Sequence, residues 1–396
     1  MITNLVVRNF RSLRNATLDL CGRNVLIGPN KSGKTTLLDA LRFLAQAVTG
    51  GDVTRPLNER GGMESVAWKG SDGTDRALHP RVRPSVALEF QLDGELNQDP
   101  DVARFSYYLA IAGDLRAQPV IRRETLDVTA NDTKRRLIDM IDGDGVARRW
   151  DGTELFSNPG DPKKPVLAYD IPGWEAGLLK AEITLWTFFD LIPQLAPATS
   201  NSAAAVAALD VHGSNLSSWL HTLQVNHPAD FERISKLVRE AFPEIESLGT
   251  IVTQAGTIFL TSREKFLQSP ITVFEASAGQ LKFIALTSLI YSPFGVPLIC
   301  LEEPETHLHP RLLSLLVEMA NQRRMELHGQ VSQVIVTTHS PHLVDLLEPE
   351  DIVLVSKQDG ETKFRRFASG EDLRHLMRES ENTLGRLWFS GSLGDA

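Results

Sequence analysis

One octapeptide near the start of the chain carries the residue types that bind phosphate. Residues 28–35 fit the pattern G-x-x-x-x-G-K-[ST] in full. The two glycines let such a loop bend, so that its backbone N–H groups and the start of the following helix face phosphate oxygens. A lysine at this spacing reaches the β- and γ-phosphates, and the neighbouring hydroxyl ligates Mg²⁺. The octapeptide therefore predicts a nucleotide site in which Lys34 and Thr35 take those roles.

The predicted nucleotide-binding residues are the octapeptide and the residue that follows it. They are Gly28, Pro29, Asn30, Lys31, Ser32, Gly33, Lys34, Thr35 and Thr36. Apolar residues 25–27 indicate a strand before the loop, and Leu37, Leu41, Leu44 and Val48 recur after it with the period of a helix. A strand, a glycine-rich turn and a helix form the context that this pattern requires.

Two acidic residues follow an apolar stretch late in the chain. Residues 297–301 are typical of a buried strand, and Glu302 and Glu303 come directly after them. Acidic side chains at the carboxyl end of a strand lie where an open α/β sheet binds ligands. Beside a phosphate loop, Glu302 would hold Mg²⁺ and Glu303 would orient or deprotonate the attacking water. The alternative is an acidic helix start.

A histidine and a pair of small residues complete the chemical candidates. His339 follows the apolar residues 334–336, where it can hydrogen-bond the γ-phosphate or the attacking water; the alternative is a histidine that satisfies only local polar groups. Ser277 and Gly279 precede an apolar helix. Small residues there suit either a second anion site or a plain N-terminal cap.

Composition limits the class of protein. The chain has 396 residues, and 42% hydrophobic and 23% charged content is ordinary for a globular protein. No apolar stretch is long enough for a membrane span, and the N-terminus lacks the pattern of a signal peptide. Cys21 and Cys300 offer neither a disulfide framework nor zinc spacing, so a cytoplasmic location is expected.

The charge balance argues against general nucleic-acid binding. The 41 Lys and Arg and 50 Asp and Glu residues give a net charge of −9. Local basic clusters occur at Arg8, Arg11 and Arg14, at residues 122–123 and at residues 134–136. Each cluster is either a solvated surface or a phosphate-binding patch, so DNA stays open as a partner.

Hydrophobic patterns predict the order of the elements. Strands are predicted at residues 4–11, 16–20, 25–27, 85–92, 105–111, 120–128 and 250–261. Loops are predicted at residues 50–84 and 142–165, and a small helical subdomain at 215–223 and 228–242. Thereafter helices 279–291, 310–325 and 340–347 alternate with strands 297–301, 331–337 and 351–355. This alternation implies parallel strands with crossover helices.

The motifs, taken in order, resemble the ABC-type ATPase heads of the RecF, SMC and OLD families. The nearest likeness is to single-chain, OLD-like AAA family ATPases, and it covers nearly the whole chain. It rests on the phosphate loop, here the Walker A motif, and on residues 5–11, 209–223, 302–310, 337–341 and 385–391. The sequences EEPETHLHP (302–310) and TTHSP (337–341) are the specific part, because many unrelated NTPases share the phosphate loop.

The resemblance implies an α/β fold, namely an ABC-type P-loop ATPase head with a mixed sheet, flanking helices and an inserted helical subdomain. Residues 1–200 would hold Walker A and antiparallel strands, 201–270 the helical insert, and 271–396 the signature, Walker B, D-loop and H-loop. A glutamine-bearing Q-loop is expected before the signature, with Gln118 and Gln194 as candidates. The chain has neither a long coiled coil of the SMC kind nor the acidic cluster of the OLD nuclease domain.

The resemblance also implies an enzyme, a Mg²⁺-dependent ATP hydrolase that forms a homodimer around ATP. Lys34, Glu303 and His339 would be catalytic. Ser277 and Gly279 would form the signature motif, which contacts the γ-phosphate bound by the opposite subunit. Residues 305–307 would lie at the dimer seam.

In biological terms, the resemblance points to anti-phage defence or to DNA maintenance and repair, with a separately encoded effector such as a nuclease. Assemblies larger than a dimer stay open. The alternative is an ATP-gated scaffold or DNA clamp that hydrolyses little ATP. Two departures from the family pattern keep this alternative open: Glu302 stands where the family usually has Asp, and Ala278 stands in the signature. A transporter subunit is disfavoured by residues 203–242 and by the HLHP extension.

Overall fold

The computed structural model describes residues 1–70, 86–98, 101–113, 118–158, 160–196, 201, 205–327, 332–367 and 370–393. Its strands are β1 (Ile2–Phe10), β2 (Leu13–Asp19), β3 (Arg23–Ile27), β4 (Val86–Gln98), β5 (Asp101–Gly113), β6 (Val120–Ala130), β7 (Thr133–Ile141), β8 (Asp144–Arg148), β9 (Glu154–Ser157), β10 (Thr187–Phe189), β11 (Ile245–Val252), β12 (Ile258–Glu264), β13 (Ile271–Thr272), β14 (Leu298–Glu302), β15 (Gln333–Thr338), β16 (Ile352–Gln358) and β17 (Glu361–Arg366). Its α-helices are α1 (Lys34–Gly50), α2 (Thr54–Glu59), α3 (Met63–Val66), α4 (Gly177–Thr184), α5 (Leu216–Asn226), α6 (Pro228–Ala241), α7 (Ala278–Ile290), α8 (Pro310–Glu326), α9 (Pro341–Asp345), α10 (Gly370–Ser380) and α11 (Leu384–Phe389).

The larger sheet is antiparallel and contains most of the N-terminal strands. Its eight strands lie in the order β2-β1-β4-β5-β6-β7-β8-β9. Alternate residues face the core, as Leu88, Phe90 and Leu92 do in β4. This face shares one hydrophobic core with α1, whose buried residues include Leu37 and Leu41. The large sheet thus supports the helix that follows the phosphate loop.

The second sheet carries the chemical residues. Its order is β10-β14-β15-β3-β16-β17, and every neighbouring pair is parallel except β16 and β17. β3, from the start of the chain, therefore lies between strands that come from its C-terminal part. The predicted parallel strands are confirmed, and the carboxyl ends of β3, β14 and β15 meet at one edge.

A third sheet, β11-β12-β13, packs with α5 and α6 in a second hydrophobic core. The prediction of one strand over residues 250–261 is wrong, because the chain turns between β11 and β12. The N–H of Thr253 donates to the carbonyl of Thr257, and Gly256 adopts a φ of 74° within that turn. The lobe predicted as helical thus contains both helices and a hairpin.

Two predicted loops contain regular structure. The short helices α2 and α3 lie within residues 50–84, of which 71–84 fall outside the described residues. Strands β8 and β9 lie within residues 142–165, and β7 precedes them. The first four residues of β7 are exposed and polar, so this strand lacks the alternation that reveals a strand in sequence. Across the described ranges, no helix is both long and apolar enough to span a membrane.

Candidate nucleotide site

The phosphate loop joins β3 to α1, as the sequence predicts. Lys31 and Gly33 have φ values of 66° and 112°, which turn the chain sharply into the helix. The residues divide by exposure: Gly28, Ser32, Gly33 and Lys34 are buried, Pro29, Asn30, Lys31 and Thr35 are exposed, and Thr36 is half-buried. The buried residues of the loop therefore pack against the rest of the protein, whereas its tip and Thr35 are exposed to solvent.

Lys34 lies across its own loop. Its Nζ donates to the carbonyl oxygens of Gly28 at 2.8 Å and Pro29 at 3.0 Å. Burial lowers the pKa of Lys34 to about 8, although the carboxylates of Glu303 and Glu305 oppose the shift. A poorly solvated ammonium group without a directly bonded carboxylate suits an anionic ligand such as a phosphate.

Glu302, at the end of β14, faces the phosphate loop. Its carboxylate lies close to the Thr35 hydroxyl and 3.9 Å from the Arg42 guanidinium. Burial raises the pKa of Glu302; Arg42 opposes this shift, and the nearby carboxylate of Asp190 adds to it. Asp190 follows β10, which pairs in parallel with β14, so two acids stand side by side at this edge.

Glu303 and His339 lie together. Glu303 adopts a φ of 41° and its N–H donates to the carbonyl of Thr337 at 3.0 Å, which turns the chain away from the sheet. Its Oε1 lies 3.6 Å from Nε2 of His339. Burial and the positive charge of Lys34 lower the pKa of His339, and Glu303 and Glu305 oppose this. The structure thus brings three predicted catalytic residues into one electrostatic neighbourhood.

Residues 305–307, predicted to lie at the dimer seam, differ in their exposure. Glu305 turns inward, where its Oε1 accepts from Thr338 Oγ1 at 2.7 Å and from the His339 N–H at 2.9 Å. Thr306 Oγ1 donates to the Glu303 carbonyl at 2.9 Å. Of the three, His307 is the exposed one. Glu305 and Thr306 therefore hold the turns that carry Glu303 and His339.

A buried lysine joins these turns to α7, and sequence reasoning missed it. Lys282 Nζ donates to the Leu191 carbonyl at 2.9 Å and to Thr306 Oγ1 at 3.1 Å. Burial lowers the pKa of Lys282, while the carboxylates of Asp190, Glu305 and Glu303 oppose the shift. The sequence contains one sign of Lys282, namely a single charged residue at a core position of an apolar helix.

The candidate signature segment packs on the turn after β14 of its own chain. Ser277 caps α7, since its hydroxyl accepts from the Gln280 N–H at 3.1 Å and the Gln280 side chain accepts from the Ser277 N–H at 2.9 Å. Ser277 is thus an N-terminal cap of α7, and its predicted role at a second anion site stays a prediction. A Cβ added at Gly279 would lie 2.8 Å from the His307 carbonyl oxygen, so this close contact requires glycine. Ser277 itself is exposed.

The two Q-loop candidates lie at the surface. Gln118 and Gln194 are both exposed, and Gln194 lies in a short 3₁₀ helix beyond β10. The residue whose charge acts on Glu302 from β10 is Asp190. Sequence reasoning missed it because β10 has only three residues and shows no readable period.

The basic clusters are largely paired with carboxylates. The ion pairs are Arg8–Glu89, Arg11–Asp39, Arg14–Glu361, Arg122–Asp142, Lys134–Asp127 and Arg136–Asp127. Pairing of this kind favours the solvated-surface interpretation over a phosphate-binding patch.

The side chains around the loop fit Mg²⁺ and a nucleotide. Three buried polar atoms near the site lack a hydrogen-bond partner, although such groups normally have one: Thr337 Oγ1, Ser32 Oγ and Glu305 Oε2. Within the residues that the structure describes, no group of three or more His, Cys, Asp or Glu could hold a metal. A hydroxyl and one carboxylate suit Mg²⁺, which binds through few protein ligands together with substrate phosphates. Thr35 and Glu302 would be these ligands.

Two family models match the chain. Residues 1–69 match the family described as "AAA ATPase domain". Residues 184–345, which include β14, β15 and α7, match the family described as "AAA domain, putative AbiEii toxin, Type IV TA system". Both matches are to ATPase domains of the AAA kind, and they cover the phosphate loop, the acids and His339.

Short stretches of the chain are similar to curated RecF proteins. The chain is 48% identical over 44 residues to "DNA replication and repair protein RecF" of Psychromonas ingrahamii, 11% of this chain and 12% of that protein. It is 28% identical over 95 residues to the RecF protein of Lactococcus lactis, 24% of each. The alignments thus span a quarter or less of these relatives.

The fold is that of an ABC-type ATPase head. The solved structure "Crystal structure of the SmcHead bound to the C-winged helix domain of ScpA" is similar with a TM-score of 0.53 and 12% identity, covering 92% of this chain and 97% of that one. The fold class predicted from the sequence is confirmed. Together with the family matches, the fold indicates an ATPase domain of the AAA and ABC type; the OLD-like assignment stays a prediction.

Proposed function

We propose that the chain is a cytoplasmic, Mg²⁺-dependent ATP hydrolase that dimerises on ATP. The observation that carries the proposal is the meeting of Lys34, Glu302, Glu303 and His339, which come from distant parts of the sequence, at one edge of a parallel sheet. Such an edge is where α/β folds bind their ligands. The division into residues 1–200, 201–270 and 271–396 belongs to the same proposal.

The proposed chemistry assigns one task to each residue. The Lys34 ammonium binds the β- and γ-phosphates, and Thr35 and Glu302 hold Mg²⁺, which neutralises developing phosphate charge when bound. Glu303 orients the attacking water and accepts its proton at the carboxylate. The lowered pKa of His339 favours the neutral ring at neutral pH, and the N–H of that ring would donate to the γ-phosphate.

The proposed dimer places Ser277 and Gly279 against the nucleotide of a second copy. Ser277 is exposed at the start of α7, where backbone N–H groups and the helix dipole favour an anion. Phe274, three residues before Ser277, is 60% exposed, so its ring is free to contact a second copy in the proposed dimer.

The proposed biological setting is DNA maintenance and repair or anti-phage defence, with a separately encoded effector. Support comes from the names of the relatives, RecF proteins of DNA replication and repair, and from a family described with a toxin–antitoxin system. The effector, a nuclease among other candidates, would be identified by isolating the native complex and determining its composition.

The central experiment replaces Glu303 by Gln. We expect the steady-state rate of phosphate release to fall by about 100-fold or more, because the general base is lost. ATP binding should persist and trap a dimer, visible by light scattering. Lys34→Ala should lose nucleotide binding as well as turnover, and Glu318→Gln, an exposed acid on α8, is the control.

Hydrolysis by Glu303→Gln at the wild-type rate would contradict the assigned mechanism. Wild-type protein that binds ATP but releases almost no phosphate would favour the alternative function, an ATP-gated scaffold or DNA clamp. Phosphate release with and without DNA, together with the salt dependence of DNA affinity, separates the two functions.

A further inference from the structure

The hairpin of β16 and β17 touches the phosphate loop at both of its glycines. A Cβ added at Gly28 would overlap the carbonyl oxygen of Val355 in β16, and one added at Gly33 would overlap the side chain of Thr362 in β17. The two glycines therefore serve a contact within the protein, in addition to their role toward phosphate. The loop lies directly on a hairpin that comes from far along the chain.

Thr362 makes the polar part of this contact. It is fully buried, and its Oγ1 donates to the Ser32 carbonyl oxygen at 2.8 Å. Its Oγ1 also lies 2.7 Å from Ser12 Oγ. Because a carbonyl only accepts and a hydroxyl has one proton, the Ser12 hydroxyl donates to Thr362. The Thr362 N–H donates to the Ser12 carbonyl at 2.8 Å, which fixes β17 against the turn between β1 and β2.

The anchored carbonyl also fixes the direction of the Gly33 N–H. The carbonyl of Ser32 and the N–H of Gly33 belong to one planar trans peptide and point in opposite directions. When Thr362 holds the carbonyl toward the hairpin, the Gly33 N–H points away from the hairpin. Phosphate loops bind their ligand with backbone N–H groups, so an N–H held away from the hairpin is available to a phosphate.

We propose that Thr362 is a positioning residue of the nucleotide site, whose hydroxyl preorganises the phosphate loop before nucleotide binds. The inference rests on the proposed nucleotide binding by that loop. Without the hydroxyl, the peptide between Ser32 and Gly33 loses this anchor and samples more orientations, which nucleotide binding must then restrict. Affinity for nucleotide then falls, whereas the fold of the β16–β17 hairpin persists.

The test compares Thr362→Val with Thr362→Ser, which keeps the hydroxyl. The matched control is Thr261→Val in β12, where a buried threonine hydroxyl donates to the Gly249 carbonyl at 3.3 Å. The measurements are the Kd for N-methylanthraniloyl-ADP with Mg²⁺, by fluorescence titration, and the midpoint of thermal unfolding. We expect Thr362→Val to raise Kd about tenfold, Thr362→Ser to restore affinity, and Thr261→Val to leave Kd unchanged.

A second measurement keeps the test decisive if Thr362→Val does not fold. Ser12→Ala removes the hydroxyl that donates to Thr362 and should raise Kd about threefold, with a shift of the Gly33 amide resonance in ¹H–¹⁵N spectra. An unchanged Kd in either folded variant, or Thr362→Ser as weak as Thr362→Val, overturns the inference. Wild-type protein that binds no nucleotide contradicts the proposed function instead.

Discussion

Lys34 is a buried cation held by the loop that it serves. The carbonyl oxygens of Gly28 and Pro29 accept its hydrogen bonds, yet they carry no full negative charge. Burial accordingly lowers the pKa of Lys34 to about 8. A phosphate beside the ammonium would raise this pKa again, because an opposite charge favours the protonated form. Nucleotide binding and protonation of Lys34 are therefore linked.

This linkage predicts proton uptake on binding. Above about pH 8 the free protein carries a largely neutral Lys34 and the complex a protonated one, so ADP with Mg²⁺ should bind with uptake of a proton and lose affinity as the pH rises. Calorimetry in buffers of different ionisation enthalpy measures the uptake. Uptake that stays constant between about pH 7 and 9 would contradict the role of Lys34.

At the scale of elements, the sequence predicted those whose signal is local. The phosphate loop, β14 and β15 each show an apolar run followed by polar residues, and the structure has them within a few residues of the predicted bounds. The sequence alone could not reveal Asp190, Lys282 or Thr362 as site residues. Their placement depends on which strand lies beside which, and no local pattern encodes that neighbour.

A buried acid fastens the antiparallel sheet to the segment before α4. Glu124, in β6, accepts hydrogen bonds from the Tyr107 hydroxyl at 3.0 Å and from the N–H groups of Val166 at 2.5 Å and Leu167 at 2.9 Å. Burial raises the pKa of Glu124 to about 7, although these hydrogen bonds oppose the shift. Its protonated form is therefore favoured in the folded chain more than in the unfolded one.

The raised pKa fixes the sign of a stability change. The contribution of Glu124 is complete below its unfolded pKa and is lost as the pH rises through about 7. Glu124→Gln should lower the free energy of unfolding by about 1–3 kcal/mol near pH 5, and by less near about pH 8. Urea unfolding at both pH values measures this, with exposed Glu154→Gln as the control. A difference that grows with pH would contradict the assignment.

At the scale of the whole molecule, the site is half of a proposed assembly. Ser277→Arg would place a bulky cation on the exposed start of α7, where it blocks the close approach of a second copy. We expect this variant, combined with Glu303→Gln, to remain monomeric with ATP while it still binds nucleotide. Light scattering measures the mass, and Ser247→Arg, at an exposed position in β11, is the control.

An ATP-dependent dimer of the Ser277→Arg, Glu303→Gln double variant would exclude Ser277 from the interface. Loss of the dimer in the Ser247→Arg control would instead place the third sheet at the contact. The two substitutions thus separate the start of α7 from the rest of the lobe.

The position of β3 also determines when the site can form during synthesis. β3 leaves the ribosome early, but its two neighbours in the sheet are β15 and β16, which are made after most of the chain. Until they emerge, the phosphate loop has no parallel sheet to hold it, and closing so long a segment is slow. Thr362 emerges later still. Under the proposed function, ATP therefore cannot template the early stages of folding, and its binding requires a chain whose C-terminal strands are already in place.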